Sequence, residues 1–274
     1  MHIIEQSSGV LVTNCGIDLY KTFDCGQCFR FDTEDGKTFK GVTRGKQLTI
    51  TVADNGFFVD KVTKDEFNNN YKSFFDLDRD YDEIRSQLKK SGLHSGAIEC
   101  GKGIHILKQE PWETLCSFII SQNNNIPRIK KIINALCKLL GEEIEENVYA
   151  FPTPEKLASA GIDGLAPIRA GFRAGYLADA AKKVASGALV LDELYDTNLE
   201  ETINALCTIK GVGPKVAGCV ALFGLGHTDS FPIDVWIKRV IEKYYDADFS
   251  PTIFGKYAGI AQQYLFYHER YLSK

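Results

Sequence analysis

The sequence has no apolar run near the roughly 18 residues that a membrane span requires. Its longest, about Val216 to Gly226, is interrupted by glycines and a cysteine, so a membrane-spanning role is excluded. The opening Met1-His2-Ile3-Ile4-Glu5 lacks the basic stretch followed by a long apolar stretch that marks a secretory leader, and an intracellular protein is expected. Cysteines stand at 15, 25, 28, 100, 116, 137, 207 and 219, with one Cys-x-x-Cys, Cys25 to Cys28. No second pair and no His-x-x-x-His completes a tetrahedral site, which argues against zinc. No cysteine follows Cys219, which excludes a C-terminal iron-sulfur cluster with its four closely spaced thiolates. Several of the eight lie in apolar helical patterns, where a reduced thiol behaves as a small hydrophobe. There is no internal repeat, no low-complexity tract and no overall excess of basic charge: 32 Lys and Arg against 36 Asp and Glu give −4.

What is present is an ordinary globular composition of 274 residues, 44% apolar and 25% charged, enough for about two domains. Local charge departs from the total. From Phe118 to Gly141 the charged residues are Arg128, Lys130, Lys131 and Lys138, with no acids, and from Thr202 to Thr228 they are Lys210 and Lys215. Acids crowd at Asp76, Asp78, Asp80, Asp82 and Glu83, so an acidic chain can still turn basic segments toward a polyanion.

The first sixty residues read as a β-meander. Asp35-Gly36, Arg44-Gly45 and Asn55-Gly56 supply turn residues that tolerate positive φ, and Leu48, Ile50 and Val52 alternate with Gln47, Thr49 and Thr51 as in a half-buried strand. Beyond about Lys64 the period becomes helical almost throughout. Helices are predicted over 80–90, from Pro111, from Pro127, over 172–185 and over about 253–267, with both prolines at home in a first turn. The fold class is therefore α+β: an N-terminal antiparallel β-sheet domain with flanking helices over 1–95, then a mostly α-helical domain over 96–274.

The most informative stretch is Leu206-Cys207-Thr208-Ile209-Lys210-Gly211-Val212-Gly213-Pro214-Lys215-Val216-Ala217. A helix ends near Ile209, Gly211 and Gly213 allow a hairpin too tight for side chains, and Pro214 starts the next helix. Such a helix-hairpin-helix, at about 203–225, points backbone N–H groups and a helix N-terminus at a DNA phosphate. Gly-x-Gly alone fits any helical hairpin. Downstream, Lys215 lies in the first turn of the second helix, Cys219 shares its face four residues on, and Asp234, in Phe231-Pro232-Ile233-Asp234-Val235, follows the lysine by 19 residues. Lys215 reads either as an amine nucleophile or as a phosphate contact. Asp234 reads as a helix N-cap, a catalytic carboxylate, or both.

With these residues in view the sequence resembles the helix-hairpin-helix DNA glycosylases, and within them the 8-oxoguanine DNA glycosylases that also nick the strand. Besides the hairpin, Cys25-Gly26-Gln27-Cys28-Phe29-Arg30 looks like the family's Gly-Gln-x-Phe-Arg segment, and Asn123-Asn124-Asn125-Ile126-Pro127-Arg128 like its Asn-Asn-Asn-Ile-x-Arg segment. Gly171-Phe172-Arg173-Ala174-Gly175-Tyr176 is similar to its Gly-Tyr-Arg-Ala-x-Tyr loop, and Tyr257 to Phe266 to its closing helix. The four matches fall in order along most of the chain.

The resemblance implies a helix-hairpin-helix glycosylase core and a set of roles. Lys215 attacks C1′ of a flipped nucleotide, with Asp234 assisting, and a Schiff base and β-elimination follow. Asn123 fills the vacated space and Phe172 wedges the base stack. This chain carries Phe172 where Tyr is usual, which keeps the ring and loses a hydroxyl. Arg128 and Arg173 face the base opposite the lesion. Gly26 brings its carbonyl to the proton at N7, Gln262 and Phe266 offer an amide and a ring from one helix face, and Cys219 and Pro232 line the same pocket. Trp236 stands where many relatives have a phosphate-holding histidine; its indole donates one N–H and carries no charge. No cofactor is required and no metal acts at the reacting centre, although the hairpin's carbonyl side can hold a structural cation as in relatives. The expected partner is double-stranded DNA containing 8-oxoguanine, bound by a monomer, in the cytoplasm at the nucleoid of a bacterial or archaeal cell or in a eukaryotic nucleus. The rival readings are a monofunctional alkylated-base glycosylase working through Asp234 and water, a noncatalytic DNA-binding protein and a structural helical protein.

Overall fold

A computed structural model describes residues 1–271. Six strands, β1 (His2–Gln6), β2 (Gly9–Thr13), β3 (Phe31–Thr33), β4 (Thr38–Thr43), β5 (Lys46–Ala53) and β6 (Gly56–Asp60), form one antiparallel sheet in the order β1-β2-β6-β5-β4-β3. Arg44 and Gly45 both adopt positive φ, 52° and 70°, and close the β4–β5 hairpin in two residues. The next turn differs from expectation. Asp54 and Asn55 make it, and Gly56 already belongs to β6, where a side chain would lie 1.9 Å from the Val12 carbonyl. Leu48 and Ile50 are fully buried as their alternation requires, whereas Val52 is 45% exposed beside that turn. The sheet's apolar face packs on a helical stretch at 64–74 that contributes Phe67, Tyr71 and Phe74, and on Phe75 just after it; Phe57 and Phe75 pack with ring centroids 4.8 Å apart. The helix α1 (Leu19–Asp24), capped by the Asp18 carboxylate, adds Phe23, stacked 4.4 Å from Phe31.

The rest is helical: α2 (Tyr81–Lys90), α3 (Ser95–Gly101), α4 (Pro111–Ser121), α5 (Ile126–Leu140), α6 (Pro154–Gly164), α7 (Arg173–Ala185), α8 (Leu199–Cys207), α9 (Pro214–Phe223), α10 (Val235–Tyr244) and α11 (Ala258–Tyr271). A small hairpin of β7 (Glu143–Glu145) and β8 (Val148–Tyr149), turning at Asn147 with φ 60°, interrupts what the sequence reads as continuous helix. The final helix starts later than its pattern suggests. Gly255, at φ 53° and ψ −137°, breaks a 3₁₀ segment at Pro251–Tyr257 before α11 begins.

The helices α4 and α9 are apolar almost all round and pack on each other at the centre, with Phe118 and Phe223 stacked at 5.4 Å. By packing, α2 goes with this helical core through Tyr81, Ile84 and Leu88, although it precedes residue 95. The segment after α1 also crosses over, since Cys25 and Phe29 are buried in the helical core while Cys28 faces the sheet core. Gln27, fully buried, braces the crossing: its amide donates to the Thr22 and His105 carbonyls at 2.9 and 2.8 Å and accepts from the Leu107 N–H at 3.0 Å. Arg30 anchors the far end with a bond to the Tyr149 carbonyl at 2.7 Å and an ion pair to Glu113 at 3.6 Å. All eight cysteines are free thiols. Among the described residues no helix is long and apolar enough to cross a membrane.

Candidate active site

The hairpin joins α8 to α9 as the sequence predicts, and the two glycines do different things. Gly211 sits at φ 79°, with the Tyr176 ring 2.3 Å from where a side chain would begin, so the turn cannot accept one. Gly213 is extended at φ −107° with no atom within 4 Å of that place. Its bareness serves access to the amides of the first turn of α9, which no side chain caps. Just before the hairpin, the ammonium of Lys183 donates to the Thr208 carbonyl.

Lys215 rises from that first turn into a cavity of about 780 Å³, half-buried, its Nζ 5.6 Å over the Phe118 ring. The same cavity is lined by Gly26, Asn123, Gly213, Cys219, Pro232, Asp234, Gln262 and Phe266, nine of the thirteen residues singled out from sequence when Lys215 is counted. Asp234 is the N-cap of α10, as expected: Oδ1 accepts from the Trp236 and Ile237 amides at 3.0 and 2.9 Å, which leaves Oδ2 free of those bonds. Cys219 lies near both. Burial pushes its thiol up, the charge of Lys215 opposes this, and the charge of Asp234 adds to it.

In the same cavity the two ends of the chain meet. Gly26 has φ 78°, and a methyl group there would stand 3.3 Å from Cε1 of Phe266. Three bonds hold this arrangement: Gln263 Nε2 donates to the Cys25 carbonyl at 2.5 Å, the Tyr271 hydroxyl to the Asp24 carbonyl at 2.6 Å, and Gln109 Nε2 to the Gln27 carbonyl at 2.8 Å. The carbonyls around Gly26 are thus taken. That of Gly26 has no donor among the described residues. Gln262 is 6% exposed, and its buried Oε1 also lacks a partner among them. A buried amide oxygen costs roughly 1–3 kcal/mol when unpaired, so these two open acceptors beside an aromatic face describe a site shaped for a planar ligand with its own donors.

Arg128, Phe172, Arg173 and Gly211 lie outside that cavity. Phe172, the residue before α7, is 55% exposed and packs edge-on to Tyr176. Asn123 is exposed at φ 48°, between the end of α4 and the Asn125 cap of α5. Arg173 joins the two loops. Its Nε donates to the Gln122 carbonyl at 2.8 Å, Nη2 to the carbonyls of Gln122 and of Asn123, the latter at 2.9 Å, and Nη1 to that of Ala170 at 3.2 Å. Expected to face a base, Arg173 is 6% exposed, and its guanidinium holds the asparagine loop. Burial and then the neighbouring charge of Arg128 lower its affinity for the proton. Arg128 itself is exposed. The basic run after Phe118 does not all face one way either, because Lys130 turns back to the Phe31 carbonyl and Asp32.

Matches to known proteins agree with this geometry. A family model for the 8-oxoguanine DNA glycosylase N-terminal domain matches residues 10–115, and one for the HhH-GPD superfamily base excision DNA repair proteins matches residues 116–252. The chain belongs to the 8-oxoguanine DNA glycosylase family. A solved structure of MBOgg1 in complex with a low-affinity DNA ligand is 40% identical, with a TM-score of 0.94 over 100% of this chain and 99% of that one. The Clostridium acetobutylicum 8-oxoguanine glycosylase/lyase, in complex with double-stranded DNA containing cytosine opposite 8-oxoguanine, is 36% identical with a TM-score of 0.93 over 100% and 99%. The N-glycosylase/DNA lyase of Saccharomyces cerevisiae is 39% identical over 159 residues, 53% of this chain and 42% of that protein. The match spans about half the length or less of such curated relatives.

This member of the 8-oxoguanine DNA glycosylase family also places residues that the sequence did not single out. Phe118 lies under Lys215, the Arg239 guanidinium covers the Trp236 ring at 4.9 Å, and Arg270 lines the cavity beside Gly26. Arg239 supplies the charge that indole lacks. It is three residues from Trp236, one helical turn on, a spacing that carries no distinctive signal.

Proposed function

We propose that this protein excises 8-oxoguanine from duplex DNA and then cleaves the strand, in the compartment that holds the DNA: the nucleoid or the nucleus. The observation that carries the reading is one cavity lined by Lys215 and Asp234 together with Gly26, Gln262 and Phe266, of which Gly26 and Gln262 offer acceptors without donors among the described residues. Guanine presents an acceptor at N7; 8-oxoguanine presents an N–H there, which the Gly26 carbonyl accepts. Gln262 pairs with the Watson-Crick edge and Phe266 supports the ring. Phosphates lie against the hairpin amides and the start of α9, Phe172 and Asn123 keep the duplex open, and Arg128 reads the opposite cytosine. For Arg173 to read that base it must exchange loop carbonyls for it.

With the nucleotide flipped, the Lys215 amine forms a bond to C1′ while the glycosidic bond breaks and the base leaves with its electron pair. Asp234 stabilises the positive charge that develops on the sugar and takes up a proton from the nitrogen. Ring opening gives an imine between Nζ and C1′. Loss of a proton from C2′ then expels the 3′ phosphate, and water releases the lysine. The steps balance without oxidant, reductant or metal. A glycosylase using Asp234 and water alone would leave Lys215 without a role inside the cavity. The test is borohydride, which reduces the imine to a stable amine. Wild-type protein on a duplex with 8-oxoguanine opposite cytosine is expected to be trapped covalently. Lys215→Gln is expected to bind that duplex yet neither excise the base nor form the adduct, and nicking by the variant at near wild-type rate would overturn the assignment.

A further inference from the structure

The residues that face the cavity from α11 form a ladder. Gln262, Phe266 and Arg270 follow at i, i+4 and i+8 on one face of the helix, about 6 Å apart along its axis. All three line the cavity. Arg270 is half-buried, its guanidinium carbon 5.6 Å from the centre of the Phe266 ring and 5.2 Å from that of Tyr271. Nη1 stands 3.7 Å from where a side chain on Gly26 would begin. Among the described residues no carboxylate forms an ion pair with it. Two rings and the Tyr271 anchor on the Asp24 carbonyl therefore set the direction of a cation that has no ion-pair partner among the described residues.

We propose that Arg270 is a specificity-determining residue that donates a hydrogen bond to the C8 oxygen of the oxidised purine. The inference rests on the base-excision reading above. A purine lying on Phe266 with its Watson-Crick edge toward Gln262 turns its imidazole edge the other way along the helix, toward Arg270 and Gly26. That edge of 8-oxoguanine carries a donor, N7–H, beside an acceptor, the C8 oxygen. The cavity offers the complement side by side: the open Gly26 carbonyl for the donor and the Arg270 guanidinium for the acceptor. Undamaged guanine has C–H at position 8 and gives the guanidinium nothing there. Arg270 thus acts on the atom that defines the lesion.

The experiment uses the full chain and three duplexes, carrying 8-oxoguanine, 8-thioguanine or a preformed abasic site, all opposite cytosine. Sulfur at C8 keeps N7–H but is a weak acceptor. Arg270→Leu, which keeps an apolar body over Phe266, is expected to lose about tenfold to a hundredfold in kcat/KM on 8-oxoguanine, carried mainly by KM, as one hydrogen bond from a charged donor would give. It should change little on 8-thioguanine and on the abasic duplex. Arg270→Lys, which retains a donor, should recover most of the lost activity. Equal loss on all three duplexes, or failure of lysine to rescue, would assign Arg270 to support of the fold. Undiminished excision of 8-oxoguanine by Arg270→Leu would overturn this inference and leave the base-excision reading standing. Absence of excision by the wild type would overturn both.

Discussion

Gly26→Ala separates base recognition from every other property of the site. The new methyl group would point at the Phe266 ring, 3.3 Å from Cε1 and 3.5 Å from Cζ, in the space assigned to the flipped base. Two costs follow. The first falls on the fold, because alanine at φ 78° loses about 1–2 kcal/mol relative to glycine. For a protein of this size that lowers Tm by about 2–8 °C and leaves it folded at 25 °C. The second falls on the substrate. A base displaced from the Gly26 carbonyl forfeits that hydrogen bond, about 0.5–1.5 kcal/mol, and part of the stacking on Phe266, roughly 1–3 kcal/mol. Together these give about a tenfold to a thousandfold loss of kcat/KM on 8-oxoguanine. The atoms nearest the new methyl group belong to Phe266 and Arg270, not to Lys215. Single-turnover strand cleavage should therefore fall on the 8-oxoguanine duplex and hold within a few fold on a duplex with a preformed abasic site. Parallel loss on both would mean that Gly26 serves the fold or general DNA binding. Undiminished excision would mean that the base lies elsewhere.

Other substitutions probe the remaining parts. Phe266→Ala should weaken capture of the lesion by about five- to 150-fold, again without affecting cleavage at an abasic site, as titration of both duplexes would report. Arg173→Ala should flatten the preference for cytosine over adenine opposite the lesion, a contact of on the order of 1–3 kcal/mol, and should also free the Gln122 and Asn123 carbonyls; Arg128→Ala should flatten the preference alone. Equal wild-type rates opposite all four bases would refute both. Stability should depend on pH through two buried groups of opposite sign. Burial lowers His105 from 6.5 to about 4, so its contribution is complete above pH 6.5 and is lost as pH falls toward 4; burial raises Glu113 from 4.5 to about 7, so its contribution is complete below pH 4.5 and is lost as pH rises to 7. Each slope is at most about 1.4 kcal/mol per pH unit. In urea unfolding between pH 4.5 and 6.5, Glu113→Gln should make stability rise more steeply with pH than in the wild type and His105→Phe should do the reverse, whereas three parallel curves would show that neither group titrates with folding.

Local chemistry made much of this protein legible in its sequence. The two-residue turn at Arg44-Gly45, the proline at the start of α4, α5 and α9, and the Asp234 cap follow from backbone preferences that act within a few residues, and they appear where the sequence places them. The order of motifs along the chain carried the family. Local rules were weaker where a neighbour from far along the chain decides. Gly56 is glycine because the Val12 carbonyl lies against it, and Gly211 because the Tyr176 ring does; neither reason can be read from adjacent residues. Lys130 belongs to a basic run yet is turned to Asp32 across the domain boundary. Arg173 is expected to face the base opposite the lesion, and what only packing shows is that it also holds the loop between α4 and α5 through bonds to backbone carbonyls. Above all, the pairing of Gly26 with Phe266 joins residues 240 positions apart, and only the packing of the helices buries Gln262 Oε1 without a donor among the described residues. Sequence set which groups the chain could offer, since residue type fixes charge, donors and backbone freedom. Tertiary packing decided which of them were left unsatisfied, and an unsatisfied group inside a cavity is what a substrate can bind.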